Sequence, residues 1–126
     1  MDMGVTVGDG LQTVLLIEDN PGDARLIREM LLEEPGTAFR LENADRLARG
    51  LEALAAGDVS LVLLDLSLPD SYGLESFAKV YAHSPNIPII VLTGTDDQAL
   101  ALAAVKSGAQ DYLVKGKIDR DRKSVV

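Results

Sequence analysis

Polar residues follow four separate apolar segments of the chain, and their side-chain types suit metal and phosphate chemistry. Glu18 and Asp19 come directly after the first of these segments, and Asp65 comes directly after the most apolar one. Thr93 and Lys115 end two later segments. Taken singly, each residue is more simply explained as a turn, cap or surface residue. Together they supply three acids, one hydroxyl and one ammonium group, a set that chance explains less well.

Side chains of these types can hold a hard metal ion beside a phosphoryl group. Carboxylates in a partly desolvated cleft need a counter-ion, and oxygen ligands without histidine or cysteine favour Mg²⁺, Ca²⁺ or Mn²⁺ over zinc. Mg²⁺ commonly combines one or two carboxylates with phosphate oxygens. Lys115 can supply positive charge to a phosphoryl group, and Thr93 can supply a hydroxyl donor. Asp65 then fits the role of nucleophile, because a carboxylate can attack phosphorus to give an aspartyl phosphate.

Strand-like and helix-like patterns alternate along the chain and would bring these residues to one edge of a sheet. Strands are predicted at 13–17, 38–42, 59–64, 87–92 and 111–115, and the helices between them include 45–57, 74–83 and 96–109. Pro21 and Asp23 suit the start of the first helix. This βαβαβαβαβ pattern predicts an α/β fold, a doubly wound parallel sheet with helices on both faces. Ligands bind such sheets beyond the carboxyl ends of the strands, where the candidate residues fall.

The composition predicts a single ordered domain. The chain has 126 residues, of which 47% are apolar and 25% are charged, as in globular proteins with one core. The absence of cysteine excludes disulfides and thiolate chemistry and is compatible with the cytoplasm. The N-terminal residues do not resemble a signal peptide, and no apolar run approaches the roughly 18 residues of a membrane span. A soluble, cytoplasmic protein without a membrane segment is therefore expected.

The net charge argues against direct binding to nucleic acid. A formal charge of -8 opposes the attraction to phosphates on which such binding depends. A basic cluster near the C-terminus is the exception, and it comprises Lys115, Lys117, Arg120, Arg122 and Lys123. Because acids are interleaved with these residues, the cluster is interpreted as a solvated end or linker.

Four sequence motifs carry a resemblance to a known family. They are "EDNPGDARLIREML", "LVLLDLSLPDSYGLE", "PIIVLTG" and "GAQDYLVK". With these motifs, roughly residues 13–118 resemble the receiver domain of two-component response regulators. The resemblance implies a five-stranded, flavodoxin-like sheet with strand order 2-1-3-4-5. It also implies a receiver domain at 13–126, preceded by a flexible N-terminal lead at 1–12.

The resemblance implies a role for each acidic residue of the site. Asp65 would be phosphorylated by transfer from a phosphohistidine on a partner histidine kinase or phosphotransfer protein. Mg²⁺ would be bound by Asp19, Asp65 and the backbone carbonyl of Ser67. Glu18 would act on the metal through water. The chain would then be a regulatory phosphoacceptor domain and not an enzyme.

The resemblance also implies a switch. Lys115 and Thr93 would contact the phosphoryl group, and Tyr112 matches the aromatic residue that changes rotamer as Thr93 moves. The surface formed by the fourth helix, the fifth strand and the chain's end would change shape and bind an effector or a second copy of the chain. The uncharged stretch "QALALAAV" in the fourth helix fits such a surface. The alternative is that its alanines simply favour a helix.

The chain departs from the family pattern at three places. Glu18 stands where aspartate is commoner, and its extra methylene should shift the water-mediated contact with the metal. Gly116 follows Lys115, where the family usually has proline. The last helix has only "DRDRKSVV" available and is expected to be short or truncated.

Three other functions fit the sequence less well. A Mg²⁺-dependent phosphatase with an aspartate nucleophile usually has a second aspartate two residues later, where this chain has Ser67. A flavodoxin-like cofactor binder needs a hydroxyl- and glycine-rich phosphate loop, whereas the loop here is the acidic "EDNPGD". A receiver-like interaction module that works without phosphorylation is disfavoured, because each expected site residue is present or conservatively replaced.

Overall fold

A computed structural model of the protein describes residues 12–33 and 38–116. In chain order its main elements are β1 (Gln12–Ile17), α1 (Pro21–Leu32), β2 (Phe39–Ala44), α2 (Leu47–Ala55), β3 (Val59–Asp65), α3 (Leu74–His83), β4 (Ile89–Thr93), α4 (Gln98–Lys106) and β5 (Asp111–Val114). Every predicted strand and helix in the described part of the chain is therefore confirmed. The N-terminal lead and the short last helix lie outside the described residues.

Several boundaries and one connection differ from the predictions. Helix α2 was predicted to begin at residue 45 but begins at Leu47. Arg46 makes no capping hydrogen bond, and the carboxylate of Asp70 accepts one from the backbone N–H of Leu47 instead. Asp96 and Asp97, which the predicted helix 96–109 included, belong instead to a separate 3₁₀ turn, Thr95–Asp97. The segment after β3, for which no strand was predicted, contains a short antiparallel ribbon in which Ser67–Leu68 pairs with Ser71–Tyr72.

All strands of the main sheet are parallel and lie in the order β2-β1-β3-β4-β5, as predicted. Their registers place the carboxyl ends of the strands at nearly the same level. Ile17 of β1 is level with Leu64 of β3. Asp65 is level with Leu92, the residue before Thr93 of β4. The residues that end β1, β3, β4 and β5 therefore share one edge of the sheet.

The central strand β3 is buried on both faces, which fixes the position of Asp65 at its end. Val62 and Leu64 belong to a large hydrophobic cluster with side chains of α2, α3 and α4. Leu63 points to the opposite face and packs in a smaller cluster with Ile27 of α1. Each of these fully buried side chains contributes about 1.5–3 kcal/mol of transfer free energy, so β3 is a firm support for the residue that follows its apolar part.

The start of α1 is defined by Asn20 and Pro21. The side-chain oxygen of Asn20 accepts a 3.0 Å hydrogen bond from the backbone N–H of Asp23, and proline occupies the first helical position. Both are favoured helix-start features, since the cap satisfies a free N–H and proline lacks one. They place the first turn of α1 immediately beside the carboxyl end of β1.

The connection between β3 and α3 reverses direction at Pro69 and Asp70 and is closed at Gly73. The φ angle of Gly73 is 73°, which a residue with a side chain rarely adopts. Its backbone N–H donates a 2.7 Å hydrogen bond to the carbonyl of Leu66. The glycine eight residues after Asp65 therefore closes the loop that starts at the end of β3.

Helix α4 has one buried face and one partly exposed apolar face. Ala101 and Ala104 are fully buried against the sheet, whereas 48% of Leu102 is exposed. The stretch "QALALAAV" thus combines packing alanines with an outward-facing leucine.

Within the described ranges, no helix is both long enough and apolar enough to cross a membrane.

Candidate functional site

The three acidic residues expected at the sheet edge converge. Glu18 and Asp19 directly follow β1, and Asp65 is the last residue of β3. One carboxylate oxygen from each of them can be chosen so that all three lie within 4.8 Å of one another. Oxygens bound to a single Mg²⁺ at about 2.1 Å are about 3.0 to 4.2 Å apart. The oxygens therefore fit a hard divalent cation after only a small inward movement.

Glu18 is buried and uses both carboxylate oxygens in contacts with the protein. Its Oε2 accepts a 3.2 Å hydrogen bond from the backbone N–H of Asn20, and its Oε1 lies 3.0 Å from Nζ of Lys115. Burial raises the pKa of Glu18 from 4.5 to about 7, and the neighbouring Asp65 adds to this rise while Lys115 opposes it. Asp19, in contrast, is exposed at the same edge.

Asp65 is buried, with only 3% of its surface exposed, and its two carboxylate oxygens face different donors. The backbone N–H of Ser67 donates a 3.2 Å hydrogen bond to Oδ1. The ammonium group of Lys115 lies 3.5 Å from Oδ2, which is a long contact. The structure thus brings Asp65, Ser67 and Lys115 together, as the sequence motifs predict.

Lys115 directly follows β5 and reaches back across the sheet edge to three carboxylates. Its Nζ atom lies 2.9 Å from Asp23, 3.0 Å from Glu18 and 3.5 Å from Asp65. Burial would lower the pKa of Lys115, but the carboxylates prevail and hold the pKa above its ordinary value. The lysine is therefore charged and neutralises part of the acidic cluster.

Asp23 is the site residue that the sequence analysis missed. The sequence pattern assigned Asp23 only to the start of α1, where an acid is favoured by the helix dipole. The available signal was its position one helical turn after Asp19, because the first turn of α1 begins at the same sheet edge. Its contact with Lys115, however, joins residues that are 92 positions apart.

Thr93 and Tyr112 lie on the adjacent strands β4 and β5, and β4 is paired with the strand that ends in Asp65. Thr93 is buried at the end of β4, and its hydroxyl donates a 3.2 Å hydrogen bond to the carbonyl of Gly94. Tyr112 of β5 is paired with Val91, two residues before Thr93, and packs against the larger hydrophobic cluster. Since alternate strand residues face the same side of a sheet, Thr93 lies on the same face as the partner of Tyr112.

Gly116, which directly follows Lys115, lies near the loop that follows Thr93. A Cβ atom added to Gly116 would lie 3.4 Å from Oγ1 of Thr95. No cis peptide bond occurs among the described residues. The glycine that replaces the usual proline therefore lies beside the loop that follows Thr93.

Comparisons with known proteins assign the chain to a family. The sequence model of one protein family, the response regulator receiver domain, matches residues 14–123. The chain belongs to this family. It is a receiver domain of two-component response regulators, with the flavodoxin-like receiver fold that the sequence motifs implied.

Two curated relatives come from a bacterium and an archaeon. The KDP operon transcriptional regulatory protein KdpE of Escherichia coli (strain K12) is 35% identical over 105 residues, which are 83% of this chain and 45% of that protein. The methanogenesis regulatory protein FilR1 of Methanothrix harundinacea is 38% identical over 111 residues, covering 84% of this chain and 24% of that protein. The chain thus spans less than half the length of either relative.

Solved structures of receiver domains have the same fold. The signal receiver domain of a putative Luxo repressor protein from Vibrio parahaemolyticus superposes with a TM-score of 0.73 at 26% identity, covering 91% of this chain and 87% of that one. The Mn²⁺-bound form of response regulator Rcp1 superposes with a TM-score of 0.65 at 26% identity, covering 82% of this chain and 80% of that one.

Proposed function

We propose that Asp65 accepts a phosphoryl group and that the domain thereby switches a protein-interaction surface. The observation that carries this proposal is the convergence of Asp65 with two further acids and Lys115 at one edge of the sheet. A buried carboxylate beside a charged lysine is equipped to receive a group that brings negative charge with it. The phosphoryl donor is a phosphohistidine on a partner histidine kinase or phosphotransfer protein, since the family operates in two-component systems.

Asp19 and Asp65 are better placed than Glu18 to be direct ligands of Mg²⁺. Asp19 is exposed, and Asp65 has only a 3.5 Å contact to Lys115, whereas Glu18 is held by a 3.0 Å contact to the same lysine and by the backbone N–H of Asn20. Asp19, Asp65 and the backbone carbonyl of Ser67 would hold the ion, with Glu18 acting through water. The bound ion would supply positive charge to the phosphoryl oxygens. The Mn²⁺-bound form of Rcp1, with the same fold, supports a divalent cation at a receiver site.

The transfer step uses Asp65 as the nucleophile. A carboxylate oxygen of Asp65 forms a bond to phosphorus while the bond from phosphorus to the donor histidine breaks. The electron pair of the broken bond stays with the imidazole nitrogen of the donor. Lys115 stabilises the negative charge on the phosphoryl oxygens, and its raised pKa keeps it protonated during the step.

Thr93 and Tyr112 convert the new charge into a change of surface. An aspartyl phosphate offers additional acceptor oxygens, which would draw the Thr93 hydroxyl away from the carbonyl of Gly94. Tyr112 would then turn into the space that Thr93 leaves. Helix α4 and strand β5 carry the change to the surface, where the exposed Leu102 offers an apolar contact for an effector or for a second copy of the chain.

The chain works as a regulatory receiver domain comprising residues 13–126, and it acts in the cytoplasm, where two-component partners phosphorylate it. The domain itself would not bind nucleic acid or a membrane. Its net charge of -8 supports the first of these statements.

A labelling experiment separates this proposal from its alternatives. The protein is incubated with Mg²⁺ and acetyl phosphate, and bound and released phosphate are measured for the wild type and for Asp65→Asn. The proposal predicts up to one phosphoryl group per chain, absent from Asp65→Asn and from samples with EDTA. Release of many equivalents would indicate a phosphatase, and no labelling would indicate an interaction module that does not require phosphorylation.

A further inference from the structure

Asp23 is a carboxylate of the site for which the proposed phosphoryl transfer has no role. It lies in the first turn of α1, and its backbone N–H is held by the side chain of Asn20. Its Oδ2 atom lies 2.9 Å from Nζ of Lys115. The acid is therefore fixed to a rigid helix start and faces the lysine directly.

The ammonium group of Lys115 lies at unequal distances from its three carboxylate neighbours. A lysine has three N–H donors, and here the contacts to Asp23 and Glu18 are 2.9 and 3.0 Å long. The contact to Asp65 is 3.5 Å long. Charge-assisted N–H···O bonds are normally about 2.7 to 2.9 Å long. Lys115 is thus well bonded to the acids on the β1 side and only weakly bonded to the residue that would be phosphorylated.

We propose that Asp23 is a positioning residue that holds Lys115 back from Asp65 in the resting protein and thereby slows phosphorylation. The proposal rests on the proposed function of Asp65 as phosphoacceptor. For Lys115 to stabilise a phosphoryl group on Asp65, its ammonium group must move toward Asp65 and lengthen the bond to Asp23. The negative charge of Asp23 also disfavours the approach of an anionic phosphodonor.

The burial of the pair sets the size of the effect. The side chain of Lys115 is 17% exposed, and that of Asp23 is 36% exposed. Water therefore screens the acid partly, and the restraint on the lysine is moderate.

The kinetic test compares neutral and charged variants at this position. Asp23→Asn removes the charge, Asp23→Glu retains it, and Glu29→Gln removes one charge from an exposed position of the same helix. The rate of phosphorylation by phosphoramidate is measured at saturating Mg²⁺ by mass spectrometry of the intact protein. Asp23→Asn should react about three- to fivefold faster than the wild type. Asp23→Glu and Glu29→Gln should react at nearly the wild-type rate.

Unchanged or slower labelling of Asp23→Asn would overturn the proposal, as would an equal acceleration in Glu29→Gln. Thermal unfolding verifies that each variant is folded, and Asp23→Ser serves as a second neutral variant. If the wild type is not labelled either, the proposed function fails, but the restraint on Lys115 can still be tested.

A crystal structure of metal-free Asp23→Asn provides this independent test. With the charge removed, the contact between Lys115 and Oδ2 of Asp65 should shorten from 3.5 Å to about 2.8 Å. An unchanged distance would contradict the restraint even if the labelling rates differ. A shortened distance would support it whether or not the protein is phosphorylated.

Discussion

The carboxylate of Asp70 caps helix α2, with Oδ1 accepting a 2.8 Å hydrogen bond from the backbone N–H of Leu47. Its second oxygen accepts a 3.0 Å bond from the next N–H, that of Ala48. Arg46, which precedes the helix, provides no side-chain cap. The loop that begins at Asp65 therefore supplies the cap that α2 lacks locally, and the two segments are mechanically joined.

Replacing Asp70 should destabilise the protein through the loss of this cap. We expect Asp70→Ala to lower the free energy of unfolding by about 1 kcal/mol, and Asp70→Asn to lower it by less because asparagine is also a favourable cap. Asp96→Ala removes an exposed acid from the 3₁₀ turn and should change stability by less than about 0.5 kcal/mol. Urea denaturation of the three variants measures these differences. Equal losses in Asp70→Ala and Asp96→Ala would show that the cap is not stabilising.

The metal-free protein should lose stability as the pH rises, because of Glu18. Burial raises the pKa of Glu18 to about 7 in the folded chain, from 4.5 without the fold. A raised folded pKa gives a stabilising contribution that is complete below the unfolded pKa and is lost as the pH rises through the folded pKa. Between about pH 5 and about pH 8, the free energy of unfolding of the wild type should fall by on the order of 2 kcal/mol relative to that of Glu18→Gln. Urea denaturation in EDTA at both pH values checks this, and a constant difference between the two proteins would refute it.

The two acids after β1 should contribute unequally to Mg²⁺ binding. Asp19→Asn removes a proposed direct ligand and should weaken binding on the order of a hundredfold, whereas Glu18→Gln removes a water-mediated contact and should weaken it about tenfold. Isothermal titration calorimetry at a pH above 7 measures both affinities. Equal losses would mean that Glu18 and Asp19 have the same role.

The structural change at Tyr112 should depend on the hydroxyl of Thr93. In the wild type, Mg²⁺ with beryllium fluoride should shift the amide NMR signals of β5 and α4. Thr93→Ala should still bind the phosphoryl mimic, but the shift at Tyr112 should fall to less than about half, whereas Thr93→Ser should preserve it. Thr13→Ala serves as the control, because Thr13 is a buried threonine near the amino end of β1, away from the site. This variant should keep the full Tyr112 shift. A full shift in Thr93→Ala would exclude the proposed relay.

The sequence was sufficient to predict the fold and the convergence of three acids and Lys115 at one edge of the sheet. The apolar run that forms β3 required burial on both faces, and parallel strands bring their carboxyl ends together, so Asp19, Asp65 and Lys115 could be expected at one edge. The contacts of Asp23 and Asp70 could not be predicted. Each connects segments distant along the chain, and such contacts depend on how closely α1 and α2 approach the loops beside them.

The ribbon after β3 could not be predicted for a related reason. Ser67 and Leu68 form too short a segment to carry a strand pattern, and they pair with Ser71 and Tyr72 across a two-residue turn at Pro69 and Asp70. Likewise, the unequal distances from Lys115 to its neighbours follow from side-chain positions that residue spacing does not encode.

Chemical mapping of the phosphoryl group tests the central claim most directly. After incubation with acetyl phosphate and Mg²⁺, borohydride reduces an aspartyl phosphate to homoserine, which peptide mass spectrometry locates in the chain. We predict homoserine at position 65 alone, and none in Asp65→Asn or in wild type kept in EDTA. Homoserine at Asp19 or another acid, or labelling that persists in Asp65→Asn, would contradict the assignment of Asp65 as the phosphoacceptor.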